Sequence, residues 1–301
     1  MLENFNTEYA GKTRKWTGTD KKSRFQKVSK KIPDNPSVKF YKDNPIDYSH
    51  NNYGFRTPDD FKFEKGNVFL GCSITYGIGV HIEDTWGYKL SKEVGGKFWN
   101  LGVGGTGIGT ARRLLNDIEK VAKVENVFLY MAFPYRYEMY FPDDDTWQTW
   151  SPTVEGNPNE ALSSNWFKRA LIHEKNMLQY WHSNFDAIKW YCHKNKLPLY
   201  HLTGENARYT DNIYSTKLDI NLNFTNQSIT ELFKNHHSQA KTINKTKAGL
   251  KFARDFLHPN VSSHNNIFED FKKLLSGEKP NESDPNYKPE FLSKSIKKSI
   301  I

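Results

Sequence analysis

Four short apolar runs punctuate the middle of this chain: 67–71 (NVFLG), 98–101 (FWNL), 127–133 (VFLYMAF) and 198–202 (PLYHL). Each is shorter than a typical helix and apolar on both faces, which is the pattern of a strand buried within a parallel sheet. The stretches between them have helical spacing instead. Trp86, Leu90 and Val94 mark 85–95, closed by Gly95-Gly96; Leu114, Leu115, Ile118, Val121 and Ala122 mark 108–124. Longer helical stretches are expected at 166–193 and 261–275. Strands alternating with helices predict an α/β fold, a three-layer α/β/α sandwich with a central parallel sheet. In such sheets ligands bind beyond the carboxyl ends of the strands, so chemistry is to be sought just after each run.

Composition limits the alternatives. The 301 residues have a mean hydropathy of −0.78 and no run near the ~18 apolar residues of a membrane span. The opening MLENFNTEYA lacks the apolar centre of a secretory signal, and Cys72 and Cys192 are too few for a disulfide framework. A soluble cytoplasmic protein is expected. The net charge of +9 is unevenly spread: residues 1–45 hold 11 Lys/Arg against 5 Asp/Glu, a net +6, whereas 46–275 amount to +2. Residues 1–50 therefore read as a solvated basic arm able to contact an anionic partner, and the charge does not call for a nucleic-acid fold. Residues 51–275 form the expected domain, and the proline-containing 276–301 a flexible tail.

Three segments carry chemistry. After the first run comes Gly71-Cys72-Ser73-Ile74-Thr75-Tyr76-Gly77, where a strand-to-helix turn would expose the serine hydroxyl; an ordinary turn or cap has the same pattern. After the second, Gly102, Gly104 and Gly107 match the dinucleotide spacing G-x-G-x-x-G. That match follows the second strand rather than the first, and Phe133-Pro134-Tyr135 stand where an acid should end the next one. The other reading of this loop is a backbone N–H offered to an oxyanion. Before the last helix, Asp255 precedes His258 by three residues and Pro259-Asn260 follow. An aspartate so placed can bond the imidazole Nδ1 and leave Nε2 free to take a proton; a polar helix entry is the plainer reading.

Taken together, these segments resemble the SGNH (GDSL-like) hydrolase family. Gly71 to Gly77 is similar to its nucleophile block, Asn100 to Gly105 to its glycine block, and Asp255 to Pro259 to its Asp-x-x-His block, over about residues 64–275. Tyr53-Gly54-Phe55-Arg56 also looks like a segment found upstream in some members. The resemblance implies a flavodoxin-like fold with Ser73 as nucleophile, His258 as general base and Asp255 as its orienting carboxylate. It further implies the N–H groups of Ser73 and Gly105 as oxyanion donors. The chain departs from the family twice. Cys72 replaces the acid before the serine and reads as a packed thiol. Pro134 falls where the third block places a donor asparagine, and Arg136 is the candidate substitute, or else a salt-bridging arginine.

Residues 133–165 form an insertion rich in aromatic residues, expected to serve as a sugar-stacking or acyl-chain lid or simply to pack. Tyr76, Tyr135 and Trp147 are candidate substrate contacts. The acids Asp143-Asp144-Asp145 read as solvated, and His236 and His237 lack ligand partners, so no metal or cofactor is expected. The function implied is a serine ester hydrolase acting on an acylated glycan or small molecule. A carbohydrate O-acyltransferase and a weakly catalytic glycan-binding module are the alternatives.

Overall fold

A computed structural model describes residues 8–131, 136–150, 174–203, 253–256 and 258–278. Four of its strands, β3 (Lys65–Leu70), β4 (Lys97–Asn100), β5 (Lys123–Met131) and β8 (Leu199–Thr203), form one parallel sheet in the order β4-β3-β5-β8. Side-chain alternation along the strands divides the core between two faces. Val68, Leu70, Val127, Leu129 and Met131 pack against α5 (Ile108–Ile118) and α6 (Glu174–Lys194). Phe69, Phe128 and Tyr130 pack against α4 (Trp86–Val94) and α7 (Val261–Leu275), where Trp86 stacks on Phe271 at 4.7 Å. Helices on both faces of a parallel sheet make a mixed α/β fold compatible with three α/β/α layers.

Most of the boundaries agree with the apolar spacing. Thr85 caps α4, its hydroxyl accepting from the Tyr88 N–H at 3.3 Å, and α7 begins at the Asn260 cap. The 108–124 stretch is corrected. Its helix ends at Ile118, and Lys123 and Val124 instead open β5, paired with Lys65 and Gly66 of β3. Sheet pairing overrides the helical spacing there, as β-branched Val124 allows.

A larger correction concerns residues 8–50, which are no arm. They contain β1 (Thr13–Arg14), α1 (Lys22–Lys31), α2 (Pro36–Asp43) and β2 (Tyr48–Ser49), with β1 and β2 paired antiparallel. Phe25, Tyr41, Ile46 and Tyr48 form a buried cluster with Tyr76 and Ile78 of the domain. The lysines conceal this apolar set in the sequence because they occupy the outer face: Lys21, Lys22, Lys27, Lys30 and Lys31 are exposed. None of the five is ion-paired with another described residue.

The described part of the aromatic insertion is a hairpin of β6 (Tyr137–Phe141) and β7 (Thr146–Trp150). The acidic run makes its turn, with Asp145 in the left-handed region at φ 48° and its carboxylate accepting from the Tyr140 hydroxyl. The hairpin is fastened to α5 by Glu138, which accepts from Arg113 Nε at 3.0 Å and from the Thr110 hydroxyl at 2.8 Å.

Candidate active site

Ser73 begins the short helix α3 (Ser73–Tyr76) directly beyond β3, and it is buried, with 6% of its surface exposed. Its carbonyl accepts from the N–H groups of Gly77 and Ile78, which closes the turn beneath it. Oγ lies 4.0 Å from Sγ of Cys72, a buried free thiol. The Ser73 N–H, at the first helical position, has no intrahelical partner. Arg56 braces the stretch that follows, donating to the carbonyls of Tyr76 at 3.1 Å, Gly77 at 2.5 Å and Val80 at 2.9 Å. Its guanidinium stands over the Tyr48 ring at 4.4 Å.

The glycine loop after β4 packs on the serine loop backbone to backbone. Buried Asn100 joins them: its amide donates to the Thr75 carbonyl at 3.1 Å while its Oδ1 accepts from the Gly102 N–H at 2.9 Å. A Cβ on Gly102 would lie 2.4 Å from the Tyr76 nitrogen and 2.8 Å from the Thr75 carbonyl carbon, neither of which can yield cheaply. Gly102→Ala is therefore expected to cost about 1–3 kcal/mol, read as a lower urea midpoint. An unchanged midpoint would mean that the two loops are not held this tightly. Gly105 is exposed at the tip of the loop, and no described hydrogen bond engages its N–H.

Asp255 and His258 form a direct pair. His258 Nδ1 lies 2.6 Å from Asp255 Oδ2, and the His258 backbone N–H donates to Oδ1 at 3.0 Å. An ionised carboxylate only accepts, so Nδ1 carries a proton, which in the neutral ring leaves the lone pair on Nε2. Phe256, between them, sits at φ 59°, a strained conformation for a bulky residue that turns the chain back on itself. Burial opposes ionisation of Asp255. The His258 hydrogen bond and charge, together with the Thr19 hydroxyl, outweigh it and hold the carboxyl at about 2.

The elements converge through a closed ring of contacts. Arg254 N–H donates to the Gly79 carbonyl at 2.8 Å, Gly79 N–H to the Tyr48 hydroxyl at 2.9 Å, and that hydroxyl to Asp20 Oδ2 at 2.5 Å. Asp20 completes the ring by accepting from Arg254 Nε and Nη2. This pair is wholly interior, with side-chain exposures of 0% and 1%. The serine loop and the Asp-x-x-His segment are thus registered against each other by the N-terminal residues. Ser73 Oγ and His258 are not hydrogen-bonded to each other in this structure.

The remaining candidates divide. Arg136 directs Nη1 at the Thr106 carbonyl at 3.1 Å, so it is tied to the end of the glycine loop. Tyr76 does not contact substrate space as expected. Its ring is buried against Tyr48 and its hydroxyl lies 2.8 Å from His50 Nε2. Trp147 is 39% exposed on β7, beside Tyr140 and under Arg113, and no described contact links it to Ser73, Asp255 or His258. Tyr135, Pro134, His236 and His237 lie outside the described residues. Sequence reasoning missed Thr19, Asp20 and Arg254, and it gave no role of their own to Asn100 and Phe256. The one available signal for the first two was the T-G-T-D turn pattern within the basic stretch.

One buried histidine beside the site sets an acid limit. His264 is kept neutral by burial and then by the charges of Lys89, Arg56 and His258, which bring it down to about 3 from an ordinary 6.5. The unfolded chain takes up this proton below 6.5 and the folded chain does not, so stability falls as the pH drops from 6.5 toward 3. The slope from His264 alone is about 1.4 kcal/mol per pH unit. Asp255 has the same sign but acts lower, between 3.8 and about 2. Urea midpoints taken from pH 7 to pH 4 should decline from near 6.5, and a flat profile would refute the assignment.

No protein-family model matches this chain, and no curated protein matches it either. Among the described residues no helix is long and apolar enough to cross a membrane.

Proposed function

We propose that this chain is a serine ester hydrolase of the SGNH (GDSL-like) type on a flavodoxin-like fold, cleaving an O-acyl ester of a glycan or small molecule. The Asp255–His258 pair at 2.6 Å, packed against the serine loop through Arg254 and Gly79, is the observation that carries it. The strand order supports the fold reading. Numbering the sheet strands alone, β4-β3-β5-β8 is 2-1-3-4, and the switch point of such a sheet lies next to the strand that Ser73 follows.

In this reading His258 Nε2 takes the proton of Ser73 Oγ as the hydroxyl attacks the acyl carbonyl. Asp255 holds the imidazolium that forms. The N–H groups of Ser73 and Gly105 receive the oxyanion, and the leaving alkoxide takes its proton from His258. Water, activated by the same imidazole, then releases the acyl group from Ser73. The absence of a Ser73–His258 hydrogen bond is compatible with a resting enzyme, where such bonds are often long and tighten on substrate. The exposed pair Tyr140 and Trp147, 5.4 Å apart, favours a glycan as the carrier of the ester. The exposed lysines of α1, none ion-paired with another described residue, favour an anionic surface among its contacts.

A fluorophosphonate probe tests the proposal. Folded protein should be labelled once, at Ser73, by peptide mass spectrometry. Labelling elsewhere, or none, would refute the hydrolase reading and leave a glycan-binding module on the same scaffold.

A further inference from the structure

The turn at 17–20 reaches the Asp255–His258 pair from the far end of the chain. Thr17 and Asp20 are bonded to each other through both backbone pairs, at 3.1 and 2.9 Å. Gly18 supplies the positive φ, 54°, that a tight turn of the primed type needs at its first central position. The next residue, Thr19, is thereby presented to the pair. Its hydroxyl donates to Asp255 Oδ2 at 2.6 Å and lies 3.2 Å from His258 Nδ1. The neighbouring Asp20 is gripped by Arg254, the neighbour of Asp255. Two adjacent residues of the turn therefore meet Asp255 and the residue before it, so the turn cannot slip by one residue without breaking both contacts.

We infer that Thr19 is a positioning residue of the site, a fourth member that fixes the Asp255 carboxylate and sets how firmly the Asp255–His258 pair holds its proton. The inference rests on the hydrolase reading for its catalytic meaning, but not for its effect on the pair. Asp255 Oδ2 accepts two hydrogen bonds, one from the imidazole and one from Thr19, while Oδ1 accepts the His258 backbone N–H. The Thr19 hydroxyl takes up part of the negative charge that would otherwise face the imidazole. Without it, more of that charge falls on His258 and the pair binds its proton more tightly. The carboxylate also loses one of its described donors. Among the described residues, the other charged or titratable groups around the pair include Asp20 on the turn, Tyr41 on α2, Arg254 beside Asp255, and His264 on α7. A substitution at Thr19 keeps all four side chains.

The test is Thr19→Val in the full chain, with Thr19→Ser as the conservative variant and Thr19→Ala as the same deletion with less bulk. The His258 titration midpoint, followed by its ring-proton resonance, should rise by about half a unit in Thr19→Val and Thr19→Ala and return in Thr19→Ser. On an aryl ester, kcat should fall about tenfold with KM little changed, and the acid limb of the rate profile should move up with the midpoint. A residue that merely supports the fold would lower the thermal midpoint and leave the His258 titration where it was. An unmoved titration in both deletions overturns the inference, as does a serine variant that behaves like valine. If the wild-type protein takes no fluorophosphonate, the hydrolase reading falls, and the resonance titration alone decides whether Thr19 positions the pair.

Discussion

Ser73→Ala should lower the rate of aryl-ester hydrolysis by about 10⁴ to 10⁶-fold and abolish fluorophosphonate labelling. The upper figure corresponds to roughly 8 kcal/mol of transition-state stabilisation, far beyond what loss of one buried hydroxyl from a packed turn could produce through stability. Ser73 is small and its carbonyl, not its hydroxyl, closes the turn on Gly77 and Ile78, so the alanine variant should fold normally. His258→Ala should be nearly as severe, and the double variant no worse than the worse single one, because in the proposed mechanism nucleophile and base act as a unit. Asp255→Asn would test the tautomer. An amide can donate to Nδ1 and place the imidazole proton on Nε2, where it cannot accept from serine, at a cost of about 10⁴. If Ser73→Ala keeps even a tenth of the wild-type rate, the chemistry is done elsewhere.

The second large effect is on stability. Arg254→Met should destabilise the protein by about 3–5 kcal/mol, because it leaves the Asp20 carboxylate buried without its cation. Burial already pushes the Asp20 carboxyl up from its ordinary value, and Arg254 pulls against that rise. Remove the guanidinium and Asp20 either stays charged at high cost or takes a proton. Arg254 also donates to the Lys15 carbonyl and lies 4.0 Å over the Trp16 ring, so contacts across the N-terminal segment go with it. Asp20→Leu combined with Arg254→Met should regain most of the loss, since the burial cost of the charges disappears along with their attraction. Chemical denaturation of the three variants measures this directly. A single variant within 1 kcal/mol of wild type would show that the pair is hydrated rather than interior.

These two sites differ in how far the sequence revealed them. The apolar runs announced the sheet because a strand buried on both faces leaves a continuous apolar signature, and β3, β4, β5 and β8 all fall on them. Ser73, Asp255 and His258 were legible as local patterns after strands or before a helix, and the Asp255–His258 contact is itself local. Asp20–Arg254 was not legible. A buried ion pair has no periodicity, and its two residues look like ordinary surface charges until the fold brings them together. The same reason hid Thr19, which lies in a lysine-rich stretch whose charges read as solvated. Tyr76 misled in the opposite direction: adjacency to a nucleophile suggested substrate contact, but α3 turns its ring inward onto Tyr48 and His50.

The ring joining Asp20, Tyr48, Gly79 and Arg254 also sets an order of events as the protein forms. Asp20 and Arg254 are 234 positions apart, and closing a loop of that length costs about 5 kcal/mol of chain entropy before any contact repays it. The clasp therefore belongs among the last contacts made and the first lost. A ribosome releasing this chain would expose a formed sheet well before the carboxylate and imidazole met the serine loop. In refolding, recovery of far-ultraviolet signal should run ahead of recovery of labelling at Ser73.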